Sequence, residues 1–216
     1  MADIKKQINL YFQRLLKLQF ELSDLISHKV TKGKLREEFI KNVIHKIYPD
    51  LKLSSGILYD KHWQSSECDF IWLIKDAQMG TEKLYRLNDT LMFMEIKSCT
   101  KSSEFQKLNQ TAFKIKTRSS KESNILVGIF CYSTKSQQQT VCMNFGINYD
   151  KEIKGYEKYN KNLDKYKNID FCLCLNCKDE NDTAYYITRD ISRNCILYIR
   201  NPVLELFLNN FEKYFD

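Results

Sequence analysis

Glu95 and Lys97 close an apolar run, LMFMEIKS (91–98). Residues two apart on a strand share a face, so the acid and the amine point the same way while Ile96 points into the other layer. Holding both charges on an apolar strand is costly unless each is satisfied. Asp69 poses the same problem inside ECDFIWLI (67–74), a second run of strand character. Two carboxylates and one lysine converging from adjacent strands suit a hard divalent cation. Mg2+ takes one or two carboxylates, waters and a substrate phosphate oxygen. The lysine would orient or deprotonate an attacking water, or neutralise charge developing on the phosphate. The bland alternative is a structural Lys–Glu pair at a strand end and an isolated aspartate.

A fourth acid comes from a helix. The segment from about Lys34 to Tyr48 carries Leu35, Phe39, Ile40, Val43, Ile44 and Ile47 and stops at Pro49. At about 100° per residue from Leu35, this apolar face centres near 90°. Glu37 falls at about 200°, on its flank, and Glu38 at about 300°, toward solvent. Glu37 is therefore the acid expected at the sheet edge beside the other three groups.

Residues 97–121 hold a net +6 of the chain's +7. Lys101, Lys107, Lys114, Lys116 and Arg118 are the candidates for contact with a polyanion. A solvated, lysine-rich surface helix explains the same charges equally well. Ser102 and Ser103 open that helix, either as caps or as phosphate contacts.

These residues need elements to position them. Ile4, Ile8, Tyr11, Leu15, Leu18, Leu22 and Leu25 repeat at steps of four and three, a heptad seam on one long helix. The seam packs against another helix, from the same chain by expectation or from a second copy. Gly33 reads as a turn before the next helix. SGILYD (55–60), the Asp69 run and the Glu95 run read as strands, with a polar insertion before the last. Residues 103–120 read as the basic helix, and NILVGIFCY (124–132) as a central strand covered on both faces. SQQQTVCMNFGINY and KEIKGYEKYNKNLDKY read as helical. IDFCLCLNC, TAYYITRD and CILYIR read as strands, and a helix opening at Pro202 closes the chain. The result is a mixed α/β fold with a central sheet flanked by helices and a long N-terminal helix.

The chain has 216 residues, 43% hydrophobic, which suits one domain. No apolar run is long enough to span a membrane, and the N-terminus lacks the pattern of a signal peptide, so a cytoplasmic protein is expected. Cys172, Cys174 and Cys177, with Cys195 as a possible fourth, suggest zinc or an iron–sulfur cluster. The strand-like alternation favours buried thiols instead. His28, His45 and His62 are too scattered for a histidine site. His28 reads as a helix cap, and His62 lies near enough to the Asp69 strand to approach a phosphate. Trp72 reads as core; Trp63, in a polar loop, is a candidate for stacking on a base.

A helix-borne acid, an Asp at a strand, then Glu-x-Lys on the next strand and a helix: Glu37, Asp69, Glu95 and Lys97 in this order resemble the PD-(D/E)XK nuclease superfamily. The match runs over about residues 28–132. It is similar to a bacterial branch with a KG..RE element, here Lys32, Gly33, Arg36 and Glu37, followed by Gly56, Ser65 and Asp69. The resemblance implies a restriction-endonuclease-like fold over 1–216. Residues 1–27 would form the N-terminal helix, 28–132 the nuclease core, and 133–216 would complete the sheet and helices. It implies Mg2+- or Mn2+-dependent phosphodiester hydrolysis, with DNA the expected substrate and restriction or phage defence the setting. Asp69 and Glu95 would bind the metal, Glu37 a second metal or a bound water, and Lys97 would assist the nucleophile. Glu67 stands where the branch has Gln and reads as a strand-edge charge. The Q-x-x-x-Y element of RecB-like exonucleases is missing, which favours an endonuclease. Two alternatives belong to other classes: a catalytically silent nucleic-acid-binding module, and a regulatory protein that works through its N-terminal helix. That helix is also where a homodimer or a helper protein would dock.

Overall fold

The computed structural model of the chain describes residues 2–77, 83–119, 124–152, 154–178, 184–199 and 203–212. Helices α1 (Ala2–Ser23) and α2 (Lys29–Ile47) come first. Strands β1 (Lys52–Tyr59), β2 (Gln64–Leu73), β3 (Leu84–Arg86) and β4 (Thr90–Lys97) follow, then helix α3 (Ser102–Arg118) and β5 (Leu126–Cys131). Helix α4 (Gln138–Asn144) leads into β6 (Phe145–Asp150) and β7 (Gly155–Asp164). Strands β8 (Phe171–Cys174), β9 (Tyr185–Arg189) and β10 (Cys195–Ile199) precede helix α5 (Val203–Glu212). Among the described residues, no helix is long and apolar enough to cross a membrane.

Among the described residues, eight strands form one sheet in the order β10-β9-β8-β5-β4-β2-β1-β3, and β6 and β7 pair separately. β5 pairs in parallel with β4 and with β8. Its sequence LVGIFC is apolar throughout because both faces are covered. Gly128 is required there: a Cβ on it would lie 2.4 Å from the Phe171 ring of β8. On either side the pairing turns antiparallel, β2 with β4 and β1, and β9 with β8 and β10, while the edge strand β3 runs parallel to β1.

Alternation along β4 assigns the layers. Met92, Met94 and Ile96 face α1, α2 and α5, with Phe70, Trp72, Phe130 and Tyr132. Phe93 faces α3 and α4 with Ile71, Val127 and Ile129. The first layer is aromatic: Phe211 of α5 meets Trp72 at 4.9 Å and Phe207 at 5.4 Å between ring centroids. Each such ring contributes about 1.5–3 kcal/mol by leaving water.

Four expectations need correction. Gly33 lies inside α2, with open space around it, and makes no turn; the helix starts instead at its cap His28, whose Nδ1 accepts the Thr31 N–H at 3.3 Å. Of SQQQTVCMNFGINY only Gln138–Asn144 is helical, and Phe145–Asp150 is strand. The described residues of 151–166 form no helix; they carry β7, whose residues pair with β6, and Tyr156 and Tyr159 both pack on the core. Finally, α1 does pack within the chain, against α2 and α5, but not by its heptad seam. Asn9, Gln13, Leu16, Phe20 and Ser23 are buried, while Ile4, Ile8, Tyr11, Leu18, Leu22 and Leu25 are exposed. The buried face is partly polar: Gln13 Oε1 accepts the Leu204 N–H at the start of α5 at 3.3 Å and Ser23 Oγ accepts from Arg36 Nε at 2.7 Å, while Asn9 Nδ2 has no hydrogen-bond partner among the described residues. Counting apolar residues alone therefore selects the wrong face. Pro202 and Lys121 lie outside the described residues.

Candidate active site

Phe70 opposite Met94 is the last ladder pair of β2 with β4 at this end. Beyond it β2 continues only against β1, with Cys68 opposite Gly56 and Glu67 opposite Ile57. β4 instead stays with β5, through Lys97 opposite Cys131. The strands therefore fork at Asp69 and Glu95. In the fork, Asp69 Oδ2 accepts the Ile96 N–H at 2.8 Å. The same oxygen accepts from Lys97 Nζ at 2.8 Å, and Glu95 Oε2 lies 2.5 Å from that nitrogen. All three side chains lie on the α3 side of the sheet, opposite Ile96, as the strand period requires.

The electrostatics follow from burial and crowding. Burial lifts the Glu95 carboxyl to about 7, and the neighbouring Asp69 charge adds to this against the pull of Lys97. Burial disfavours the Lys97 ammonium, but Glu95 and Asp69 more than offset it and hold its pKa above the ordinary lysine value. Glu37 is raised as well, first by burial and then by the Asp69 charge, so it belongs to the same electrostatic cluster. It lies on α2, near enough for the Asp69 and Lys97 charges to act on it. Glu38 turns outward and pairs with Lys41 at 3.1 Å, as the helical phase predicts.

A cavity of about 230 Å3 opens over the group. Asp69, Glu95 and Lys97 form its floor; Glu67 of β2 and Lys107 and Thr111 of α3 line its walls. Two carboxylates sharing one ammonium at a cavity floor are a donor set that a small hard cation accepts. Among the described residues no three acidic, histidine or cysteine side chains converge at ligand geometry, so Glu37 stands back from the Asp69–Glu95 pair.

The candidate nucleic-acid residues separate. Lys101 is exposed at the start of α3, where Glu104 Oε2 accepts its N–H at 2.6 Å and closes the first turn. The helix cap is thus Lys101, not Ser102 or Ser103. Lys107 lines the cavity and Lys114 is exposed. Lys116 instead turns to Asp170, 2.6 Å away, an acid that also pairs with Arg193 and accepts the Val127 N–H. Arg118 sits over Trp63 and 3.6 Å from Asp60. The cysteines do not converge as one set: Cys172, Cys174 and Cys195 lie in the α3 layer and Cys177 against the opposite one. Burial raises the thiol pKa of all four.

Arg36 escaped the sequence reading as a positioning residue. It is buried, donates from Nε to Ser23 Oγ at 2.7 Å and from Nη2 to Asp24 Oδ1 at 2.8 Å, and stacks 3.9 Å from the Phe20 ring centroid. The Tyr132 hydroxyl donates to its carbonyl at 2.8 Å. These contacts lock α2 between α1 and the end of β5, one residue before Glu37. The signal was present: Arg36 falls at about 100° on the helix, in the middle of the apolar face.

No protein-family model matches the sequence, and no curated protein matches it at the sequence level. Solved structures match in fold. NucC of P. aeruginosa ATCC27853 in its cAAA-bound form superposes with a TM-score of 0.70 at 9% identity, covering 95% of this chain and 88% of that one. NucC of E. coli MS115-1 in its cAAA-bound form gives 0.68 at 11% identity, over 95% and 87%. Its apo form gives 0.61 at 10% identity, over 97% and 90%. This chain therefore has a NucC-like fold: a large central mixed sheet flanked by helices, with a long N-terminal helix.

Proposed function

We propose that this chain is a divalent-metal-dependent endonuclease acting on DNA in the cytoplasm, in phage defence, with 1–216 forming one nuclease domain. The observation that carries the reading is the fork itself: Asp69, Glu95 and Lys97 on one floor, with Glu37 in electrostatic range. The fold shared with NucC, a nuclease of phage defence, supports it. The catalytically silent alternative has no deleted or replaced member of the set to rest on.

Asp69 and Glu95 would hold Mg2+ or Mn2+, with Glu37 behind them. The ion, when bound, supplies Lewis acidity toward a phosphate oxygen and a more acidic water. The chain's own groups do the rest. The Ile96 N–H fixes the Asp69 carboxylate, so its ligand geometry is set before substrate arrives. Lys97 keeps its proton, so it acts as a cation that orients a water oxygen and offsets charge growing on phosphorus. Lys107 on the cavity wall draws the adjacent phosphate in. The cAAA held by the structural neighbours supports regulation by a nucleotide signal of that kind. The exposed apolar seam of α1 supports self-association, or docking of a helper protein, through that helix.

The test is cleavage of duplex DNA, single-stranded DNA and RNA with Mg2+, Mn2+ or EDTA, each with and without cAAA. Asp69→Ala and Lys97→Ala run in parallel. Metal-dependent cleavage lost in both variants supports the enzyme and identifies its substrate. No cleavage under any condition, together with no metal binding by calorimetry, would overturn it in favour of a binding module.

A further inference from the structure

A second cavity, of about 450 Å3, lies at the tip of the β1–β2 hairpin. Tyr59, His62 and Trp63 give it three aromatic rings, Leu84 an apolar wall, and Asp60 and Gln64 its polar groups. The turn is built rather than loose: the Asp60 N–H donates to the Trp63 carbonyl at 2.9 Å, and Asp60 Oδ1 accepts the His62 N–H at 2.7 Å. Trp63 backs onto the core, and Arg118 of α3 stands 5.9 Å above its ring while countering Asp60 at 3.6 Å. The volume is within the range of about 300–1,000 Å3 usual for small-ligand clefts. Aromatic faces, an amide edge and a guanidinium beside Trp63 and Asp60 are the chemistry that holds a nucleobase and its phosphate.

The cavity is also in line with the fork. Lys107, Thr111, Lys114 and Arg118 recur at helical spacing on one face of α3. Lys107 and Thr111 line the catalytic cavity, and Arg118 stands over the ring of Trp63, which lines the aromatic one. Along the helix, Lys107 to Arg118 covers about 16 Å. Along β2, Gln64 to Asp69 covers about 17 Å. The two paths agree, and a strand of stacked nucleotides spans that distance in about five steps.

We infer that the cavity is a subsite for one unpaired base of the strand whose phosphate sits at the fork, with α3's cations carrying the backbone between them. The inference rests on the nuclease reading. It adds a requirement for an unpaired or splayed nucleotide at a fixed offset from the cut.

The test uses the two tryptophans. Trp72 is 3% exposed, whereas Trp63 is half-buried beside the cavity, so quenching by a bound base reports Trp63. In EDTA, a single-stranded oligonucleotide is expected to quench the emission of the wild-type protein. In anisotropy titrations Trp63→Ala should bind it about tenfold more weakly, while Trp63→Phe, which keeps a stacking face, stays within about twofold. Oligonucleotides with a single abasic site, scanned along the strand, should lose affinity at one position only, without any change to the protein. A flat scan and unchanged binding by Trp63→Ala, in protein that still cleaves, would overturn the subsite and leave the nuclease reading intact. Quenching by free AMP or cAAA with none by the strand would overturn the strand as occupant. Failure of every oligonucleotide to bind or be cut would remove the nuclease reading and the subsite together.

Discussion

The carboxylate of Asp69 occupies the place of a ladder partner for Ile96: its Oδ2 accepts the Ile96 N–H at 2.8 Å where β2 has already left β4. One aspartate thus ends a strand pairing and aims a candidate metal ligand. Asp69→Asn keeps an oxygen for that N–H and should melt within a few degrees of wild type. It should still lose at least about a hundredfold in cleavage rate, because a neutral amide is a poor metal ligand. Asp69→Ala should lose both, melting below Asp69→Asn by the roughly 1–3 kcal/mol that the unpaired N–H costs. Thermal melts beside cleavage rates separate the two; equal melting of both variants would remove the structural role.

The raised acids set a direction for stability against pH. Glu95 is held up at about 7 by burial, and Glu37 is raised for the same reason. A carboxyl that binds its proton more tightly folded than unfolded adds stability below its unfolded range and loses it as pH rises through the folded value. In EDTA these two groups should make the protein less stable at pH 8 than at pH 5. Glu95→Gln should flatten that slope and raise stability at pH 8 by roughly 1–3 kcal/mol, while abolishing cleavage. A lower melting temperature for Glu95→Gln than for wild type at pH 8 would show that ionised Glu95 stabilises the fork.

The side-chain cluster at the fork was legible where chemistry violated a local rule. Acids and a lysine on apolar strands have few ways to be tolerated, so Asp69, Glu95 and Lys97 were readable, and the helical phase separated Glu37 from Glu38. The fork was not readable, because where two strands part depends on pairing register and not on composition. The seam of α1 misled because its buried face uses Asn9, Gln13 and Ser23; Gln13 is met by Leu204 far along the chain and Ser23 by Arg36, partners that apolar periodicity does not register. β7 was missed for a related reason: its side chains are mostly exposed, so no apolar alternation marks it.

Arg36 should be a stability residue with a catalytic consequence. Its side chain joins Phe20, Ser23 and Asp24, and its carbonyl joins Tyr132. Arg36→Ala should cost about 2–4 kcal/mol, since it removes one partner of a buried network. Arg36→Lys should recover less than half, because a point charge cannot reproduce the fork of donors or the stack on Phe20. Urea unfolding measures both. Recovery of full stability by lysine would reduce the contact to a charge.

The cations of α3 should divide by what they touch. Lys107→Glu with Lys114→Glu should weaken nucleic-acid binding and lower the slope of log affinity against log salt by about 2. Lys116→Ala should leave that slope alone and lower the melting temperature instead, because Lys116 pairs with Asp170. Anisotropy titrations at several salt concentrations, with melts alongside, decide it. An unchanged slope in the double variant would take α3 out of the interface.

The outward seam of α1 separates assembly from folding. Leu18 and Leu22 are 51% and 55% exposed, and the helix already packs on α2 and α5 by its other face. Glutamate at both positions therefore leaves the core untouched and should shift the melting temperature by no more than a few degrees. If two copies meet along the seam, the same pair of charges buries in the interface of every copy, and repulsion plus desolvation should raise the dissociation constant at least about a hundredfold. Sedimentation equilibrium of wild type and Leu18→Glu/Leu22→Glu reads this directly. An associated wild type and a monomeric, fully folded variant is the expected result. Identical masses for the two would mean that copies of the chain do not meet along this face.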